Sequence, residues 1–513
     1  MPPFPQLRPS FPDGSRAKAR RRASNRMSRS GQKREEGSAK IGWIVFIGCT
    51  IAAFLLGLLA SSITERRAES HVARLQFLQP IAEWEADNAK WGMSFPREYN
   101  SWELTKKTEE ATKYGGSKTV DYLAEKPHLV VMWAGYPFAR SYNSPRGHYW
   151  AVNDVTSTKR VDEKTPGTCW TCKSPDAPRL MAEKGVGTFY KTPFAAFMNE
   201  VKNPIGCADC HNNETMALQI SRPALKEAFA RMGKDITKAT HQEMRSLVCA
   251  QCHVEYYFKG KEDKYLTFPW DDGMSIEGME EYYAKTEHVD WTHAISGAKM
   301  IKMQHPDYEV YMQGIHAYRG VSCADCHMPY KSEGGIKFTD HQVRSPLLNI
   351  ANSCQVCHRW SEEDIRNRVY SLQAKHAEML ERAEKAITTL HLEIGDAKKL
   401  GASDDELANV RTLVSKAQMY WDYVAANNGM GFHAPQECAR VLDKALGFAS
   451  DGLVEIARIR AKKGAFEPAT VPDVASKEKA QAYIKPFVDA AKAAAAAKEA
   501  AEKQAAEKAK AGG

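Results

Sequence analysis

The chain reads Cys169-Trp-Thr-Cys172-Lys173, Cys207-Ala-Asp-Cys210-His211, Cys249-Ala-Gln-Cys252-His253, Cys323-Ala-Asp-Cys326-His327 and Cys354-Gln-Val-Cys357-His358. Cys-x-x-Cys-His is the attachment signature of a c-type haem, in which two thiols form thioethers with the vinyl groups and the histidine becomes an axial iron ligand. The five stretches therefore predict five c-type haems. One of them carries lysine where the others carry histidine, so one iron is expected to differ from the rest.

Zinc ribbons are the main alternative, since they also use Cys-x-x-Cys pairs. A ribbon needs two pairs for each ion and no histidine directly after the second cysteine, and five pairs do not divide that way. A disulfide framework is typical of small domains without a core, which a chain of 513 residues is not. Haem attachment remains the favoured interpretation.

The region with the motifs supplies few residues for each haem, too few for each haem to have an independent protein core. We therefore expect a mainly α multihaem cytochrome c in which the haems form much of the core, surrounded by short helices and loops. The formal net charge is +8, and the first 40 residues account for a surplus of eight positive charges. The remainder is close to neutral, which gives little support for nucleic acid binding.

An uncharged apolar segment covers residues 41–63 and follows an arm that holds eleven Lys or Arg residues. This pattern is typical of an export segment whose basic side stays in the cytoplasm. Its length favours a retained transmembrane anchor over a cleaved signal, although small residues such as Ala60 would permit cleavage. The rest of the chain is expected on the periplasmic side of the membrane, either anchored or released.

Long helical patterns follow the last motif. Ser361-Glu-Glu-Asp364 and Ser403-Asp-Asp-Glu406 resemble helix capping boxes, and they predict helices to Leu400 and to about Asn427. A third helix is predicted from Gln436 to Lys463. The domain prediction is therefore an arm over residues 1–40, an anchor or signal over 41–63, a pentahaem region over 64–360, a long-helix region over 361–475 and an Ala/Lys-rich solvated tail over 476–513.

The order of one Cys-x-x-Cys-Lys followed by four Cys-x-x-Cys-His resembles the ammonia-forming pentahaem cytochrome c nitrite reductases. The same family is indicated by Pro145-Arg146-Gly147-His148 and by Lys302-Met303-Gln304-His305-Pro306. The resemblance covers roughly residues 125–440. It implies a homodimer formed through the long C-terminal helices and a membrane-bound, quinol-oxidising cytochrome as the electron donor.

The resemblance also implies roles for individual residues. Lys173 would be the proximal ligand of the catalytic haem, whose sixth position takes the substrate. The other haems would have two histidine ligands, in the pairs His211 with His341, His253 with His148, His327 with His433, and His358 with His316. Arg160, Tyr256 and His305 would lie over the open iron face, with Arg140 and Arg146 as alternatives to Arg160. One calcium ion would be bound by Glu255, Tyr256, Lys302 and Gln304.

The residue types suit this chemistry. A lysine ligates iron only as the neutral amine, and a haem with a single protein ligand can bind a small molecule, whereas bis-histidine haems are suited to passing electrons. Reduction of nitrite to ammonium needs positive hydrogen-bond donors and a supply of protons, which arginine, histidine and tyrosine provide. Two other functions stay open from sequence: an electron carrier without a substrate site, and a reductase of another small oxyanion or N-oxide.

Overall fold

A computed structural model describes residues 32–76 and 79–511 of the chain. The chain divides into two units, Met1–Leu78 and Gln79–Gly513. Within the described residues the fold is mainly α, with twenty α-helices and four short two-stranded antiparallel sheets. This confirms the fold class predicted from the sequence.

The α-helices are α1 (Gln32–Gln76), α2 (Asn88–Ser94), α3 (Pro96–Glu103), α4 (Tyr122–Glu125), α5 (Leu129–Met132), α6 (Ala151–Ser157), α7 (Asp176–Lys184), α8 (Val186–Lys191), α9 (Cys207–Cys210), α10 (Pro223–Arg231), α11 (His241–Ala250), α12 (Ile276–Lys285), α13 (Asp307–Met312), α14 (Ile315–Tyr318), α15 (Cys323–His327), α16 (Ile350–Ser353), α17 (Glu362–Lys399), α18 (Asp404–Ala425), α19 (Pro435–Lys462) and α20 (Lys477–Ala511). The strands pair in sequence order as β1 (Ala111–Thr112) with β2 (Gly115–Gly116), β3 (Tyr257–Lys259) with β4 (Tyr265–Thr267), β5 (Trp291–Thr292) with β6 (Lys299–Met300), and β7 (Tyr330–Glu333) with β8 (Ile336–Thr339).

The first unit contains α1, and its central part, Lys40–Thr64, is long and apolar enough to cross a membrane. At 1.5 Å per residue these 25 residues span about 38 Å, more than the roughly 30 Å hydrocarbon core of a bilayer. The helix extends beyond the predicted segment of residues 41–63 at both ends. The basic arm predicted over residues 1–40 lies outside the described residues as far as residue 31.

The second unit contains the three long helices predicted after the last motif, and their bounds agree with the prediction to within about two residues. Ser361 caps α17, and Ser403 and Glu406 form a reciprocal capping box at the start of α18. Apolar residues recur on α17 every three or four positions, so one stripe of this helix packs against α18 and α19. Short connections make consecutive helices antiparallel neighbours.

The C-terminal α20 has two parts. Its first turns pack on α5: Ala480 and Ile484 are buried, and Lys477 lies 2.5 Å from the Asp121 carboxylate. Between residues 489 and 502 every side chain is exposed. The Ala/Lys-rich sequence is therefore helical throughout its described length, and within residues 477–502 only the first turns contact the rest of this unit.

A close contact between α17 and α19 gives a test of this packing. A Cβ atom on Gly452 would lie 2.5 Å from Cδ2 of Leu390, whereas a Cβ on Gly447 of the same helix would meet nothing within 4 Å. We expect Gly452→Val to lower the free energy of unfolding by about 1–3 kcal/mol, because a well-packed interface does not accept extra methyl groups without strain. Denaturant midpoints of this variant and of the control Gly447→Val measure the effect. Equal midpoints would contradict the close packing.

Candidate functional site

Each histidine motif folds as one helical turn. The backbone N–H of the histidine donates to the carbonyl of the first cysteine at 2.9 Å in the motifs ending at His211, His253 and His358. The remaining histidine motif forms α15, Cys323–His327. Residues at positions i, i+3 and i+4 of a helical turn lie on one side. Both thiols and the imidazole of each motif therefore face the same way, as attachment to one flat macrocycle requires.

Each of these four histidines lies opposite a second imidazole. The distances between ring centroids are 6.2 Å for His211 and His341, and 6.3 Å for each of the pairs His148 with His253, His327 with His433, and His316 with His358. A metal–imidazole bond is about 2 Å long, so two imidazoles on opposite sides of one metal ion have centroids about 6 Å apart. The four pairs that the family resemblance implies lie together at a spacing that fits an intervening iron.

Hydrogen bonds hold several of these imidazoles through Nδ1. The acceptor is a backbone carbonyl for His211 (Met216, 2.8 Å), His327 (Arg344, 2.9 Å) and His341 (Thr339, 2.7 Å). For His253 the acceptor is the Asp307 carboxylate, at 2.9 Å. A hydrogen bond at one ring nitrogen fixes the tautomer, so Nε2 carries the lone pair that binds a metal. Burial lowers the pKa of His211 and His327 to about 4, which keeps both rings neutral.

The lysine motif has a different local structure. A short 3₁₀ helix covers Gly167–Trp170, and the backbone N–H of Lys173 donates to the Trp170 carbonyl at 3.0 Å. Within the described residues the Lys173 amine makes no hydrogen bond or ion pair. Its positive charge contributes to the low pKa values of His148 and His253, after the larger effect of burial.

Two of the three predicted substrate-side residues lie beside this motif. The Tyr256 ring lies next to Phe258, and burial together with the neighbouring thiols of Cys172 and Cys169 raises its pKa well above the usual value. The His305 ring centroid is 4.4 Å from that of His253. Burial alone would lower the His305 pKa, but the Asp307 carboxylate, 3.1 Å from Nε2, outweighs it and raises the pKa.

Asp307 and Asn428 were not predicted as functional residues. Asp307 accepts hydrogen bonds from His253, from Asn427 Nδ2 at 2.8 Å and from the backbone N–H of Asn428 at 2.6 Å. Asn428 Nδ2 lies 2.6 Å from His305 Nε2. Asp307 stands two residues after His305 in the sequence, so an acid this close to a candidate histidine was an available signal. Asn428 is distant in sequence and gave none.

Arg160 is better placed than its two alternatives. Its guanidinium carbon lies 4.3 Å from the centre of the Phe138 ring, and its charge acts on the thiol of Cys169. Arg146 is already paired with Asp154, with Nη2 2.6 Å from a carboxylate oxygen. Arg140 is about half exposed and lies 3.5 Å from Asp162. Arg160 is therefore the arginine without a carboxylate partner among these three.

The four predicted calcium ligands lie close together. Glu255 is fully buried, and its carboxylate accepts hydrogen bonds from Tyr283 Oη and from the backbone N–H of Gln304. The Gln304 side chain reaches the Lys302 carbonyl at 3.1 Å. Burial raises the Glu255 pKa well above its usual value, although the nearby Lys302 ammonium, which is paired with Asp422 at 2.9 Å, acts in the opposite direction.

This donor set fits a hard cation. It combines a buried carboxylate, an amide side chain and main-chain carbonyls, which are oxygen ligands of the kind that calcium prefers. A second buried acid, Glu309, accepts the Glu255 backbone N–H at 2.8 Å, and its other oxygen has no partner within the described residues. A divalent cation would offset this concentration of buried carboxylates.

The chain is similar to known proteins over most of its length. Residues 87–512 match the family model described as cytochrome c552. The chain is 51% identical over 450 residues to a cytochrome c-552 of Bacteroides fragilis, which covers 86% of this chain and 91% of the relative. It is 44% identical over 459 residues to a cytochrome c-552 of Desulfotalea psychrophila, covering 86% and 88%.

A solved structure is also similar. It is the catalytic subunit of the cytochrome c nitrite reductase from Desulfovibrio desulfuricans, described with two calcium sites. The TM-score is 0.72 and the identity 32%, and the match covers 75% of this chain and 90% of that one. The family match and the close relatives both extend over most of this sequence, so the chain belongs to the cytochrome c552 family of multihaem c-type cytochromes.

Proposed function

We propose that this chain is an exported oxidoreductase that reduces nitrite to ammonium at a lysine-ligated haem, while four bis-histidine haems relay electrons. The observation that carries the proposal is the contrast between the five motifs. Four of them face a second imidazole at one common spacing, whereas the fifth supplies Lys173. The similarity to a nitrite reductase from Desulfovibrio desulfuricans supports the choice of substrate.

The five haems would be held by the cysteines of the five motifs, by Lys173 and by the eight paired histidines. When bound, they would relay electrons from the external donor and offer one open iron position for a small ligand. The protein contributes the ligands that decide which haem stays open. It also contributes the polar side chains around Cys169 and Cys172.

These polar side chains suit a small anion. Arg160 offers a planar set of N–H donors, Tyr256 offers an O–H, and His305 is held towards its cationic form by Asp307. Together they can bind the oxygens of nitrite and deliver protons to them, which a reaction that consumes six electrons and eight protons requires. Asp307 holds His305 in place for this role.

We also propose that one calcium ion is bound by Glu255, Gln304 and the main-chain oxygens of Tyr256 and Lys302. Tyr256 and His305 adjoin these ligands in sequence. The ion would therefore fix both side chains and add positive charge near the anion.

The N-terminal apolar helix is consistent with a signal or an anchor, and c-type cytochromes of this family are typically extracytoplasmic. We propose that residues 79–511 lie on the periplasmic side of the membrane. There they would receive electrons from a membrane-bound, quinol-oxidising cytochrome. We also propose that the chain forms a homodimer through α17, α18 and α19.

The assignment of Lys173 is tested by optical and electron paramagnetic resonance spectra with and without nitrite, together with ammonium release from a chemical electron donor. We expect a high-spin fraction that shifts on adding nitrite, and lower turnover in Lys173→His, because imidazole replaces the amine. Matched haem content in both proteins is the control. An all-low-spin, inert wild-type protein would indicate an electron carrier, and unchanged turnover in the variant would refute the role of the lysine.

Arg160 is tested by Arg160→Lys, which keeps the charge but removes the planar set of donors. We expect kcat to fall by about 100-fold, the cost of losing one donor to a developing anion. Arg140→Lys and Arg146→Lys serve as comparisons, measured by steady-state nitrite reduction. A larger loss in either of these than in Arg160→Lys would transfer the role to that residue.

The calcium site is tested by metal analysis and chelation. We expect about one calcium ion per chain in the purified protein, and a fall in activity of about 10- to 100-fold after chelation that calcium reverses and magnesium does not. Glu255→Gln should lose the ion. The control Glu384→Gln changes a buried acid that is paired with Lys126 at 2.9 Å and should retain it. Full activity in a calcium-free protein would argue against the site.

A further inference from the structure

Arg222 is a fully buried cation next to the lysine motif, with 1% of its surface exposed. Its Nε donates to the Thr171 carbonyl at 2.9 Å, and its Nη2 donates to the Ser174 carbonyl at 2.9 Å. Thr171 directly precedes Cys172, and Ser174 directly follows Lys173. One guanidinium therefore holds the main chain on both sides of the Cys172-Lys173 pair.

The same guanidinium contacts the next motif. Nη2 lies 2.5 Å from the carboxylate of Asp209, the residue before Cys210, and Nη1 donates to Ser221 Oγ at 2.6 Å. The other Asp209 oxygen accepts the Gly206 N–H at 2.7 Å and so caps α9. Arg222 thus links the turn that carries Lys173 to the turn that carries His211.

A third motif joins this arrangement through Gln251, which stands between Cys249 and Cys252. Its Oε1 accepts the N–H groups of Ser221 at 3.0 Å and Arg222 at 3.2 Å. Its Nε2 donates to the Asp209 carbonyl at 2.7 Å. We call Arg222, Asp209, Ser221 and Gln251 the Arg222 cluster. All four residues are buried.

The energetics explain why the cluster is arranged in this way. A buried arginine is costly unless its charge is paired and its N–H groups find acceptors. Asp209 alone would compensate the charge, yet the planar guanidinium is also directed at the two carbonyls beside Lys173. This arrangement uses the rigid fork of arginine, which lysine cannot reproduce.

We propose that Arg222 is a positioning residue for Lys173: by holding the carbonyls of Thr171 and Ser174, it sets the orientation in which the lysine amine meets the catalytic iron. The inference rests on the proposed function, because it takes Lys173 as the axial ligand. The positive charge of Arg222 also acts on the thiols of Cys172 and Cys252. Because this buried charge lies against the lysine motif, it favours an added electron at the haem that Cys169 and Cys172 would hold.

The two roles are separated by two variants of the full-length, haem-loaded protein. Arg222→Lys keeps the charge and loses the fork, so we expect an altered high-spin electron paramagnetic resonance signal with little change in its midpoint potential. Arg222→Gln loses both, so we expect an altered signal and a lower potential. Where Arg222→Gln does not mature, Arg222→Lys alone decides the positioning role.

The matched control is Arg245→Lys. Arg245 pairs at 2.9 Å with Asp325, which occupies the position of Asp209 in another Cys-Ala-Asp-Cys motif, but it does not contact the lysine turn. We expect the high-spin signal to stay unchanged in this variant. An equal change in the Arg245 and Arg222 variants, or none in Arg222→Lys, would overturn the proposal. Lys173→His is measured in the same series: if it also leaves the signal unchanged, the assignment of Lys173 fails rather than the role of Arg222.

Discussion

The rest of the structure depends on four pairs of imidazoles held at one common distance, which is the spacing that a metal ion between two imidazoles would require. Four histidine pairs lie at a centroid distance of 6.2–6.3 Å although their members come from different elements of the fold. One of the paired histidines, His433, lies in the connection between α18 and α19. Gly429 and Gly431 in this connection adopt positive φ angles that other residues rarely take. The connection between the long helices α18 and α19 thus meets the motif region through the His327–His433 pair.

Buried charges form the second constraint, and three of them, Asp422, Asp307 and Arg222, contact partners in a functional segment. Asp422 on α18 pairs with Lys302 and also accepts the Met303 N–H, which fixes the segment that leads to His305. Asp307 likewise contacts and positions two histidines, His253 and His305. Arg222 contacts parts of three attachment motifs. Removing one member of such a pair leaves an uncompensated charge, so these residues couple stability to the geometry of the site.

Much of this arrangement could be predicted from the sequence, because the signals are local. The Cys-x-x-Cys spacing, the helix caps at Ser361 and Ser403 and the apolar run of α1 each depend on neighbouring residues. Three features could not be predicted: the Arg222 cluster, the contacts of Asp422 with Lys302 and Met303, and the contact between Asn428 and His305. They join residues that are far apart in the chain, and a lone arginine or asparagine has no distinctive spacing.

The histidine pairs also bear on how the protein is made. Their members are separated by 42 to 130 residues, and the partner of His327 does not appear until His433, near the start of α19. With a metal bound between its two imidazoles, each pair would close a long loop, and the metal would offset the entropic cost of closure. The last histidine pair would therefore form late, after the thioether bonds have formed on an open chain. It would also form only after residue 433 has left the translocation machinery. Biogenesis would proceed as attachment first and folding second, and a truncation before residue 433 would leave an incompletely ligated, degradation-prone intermediate.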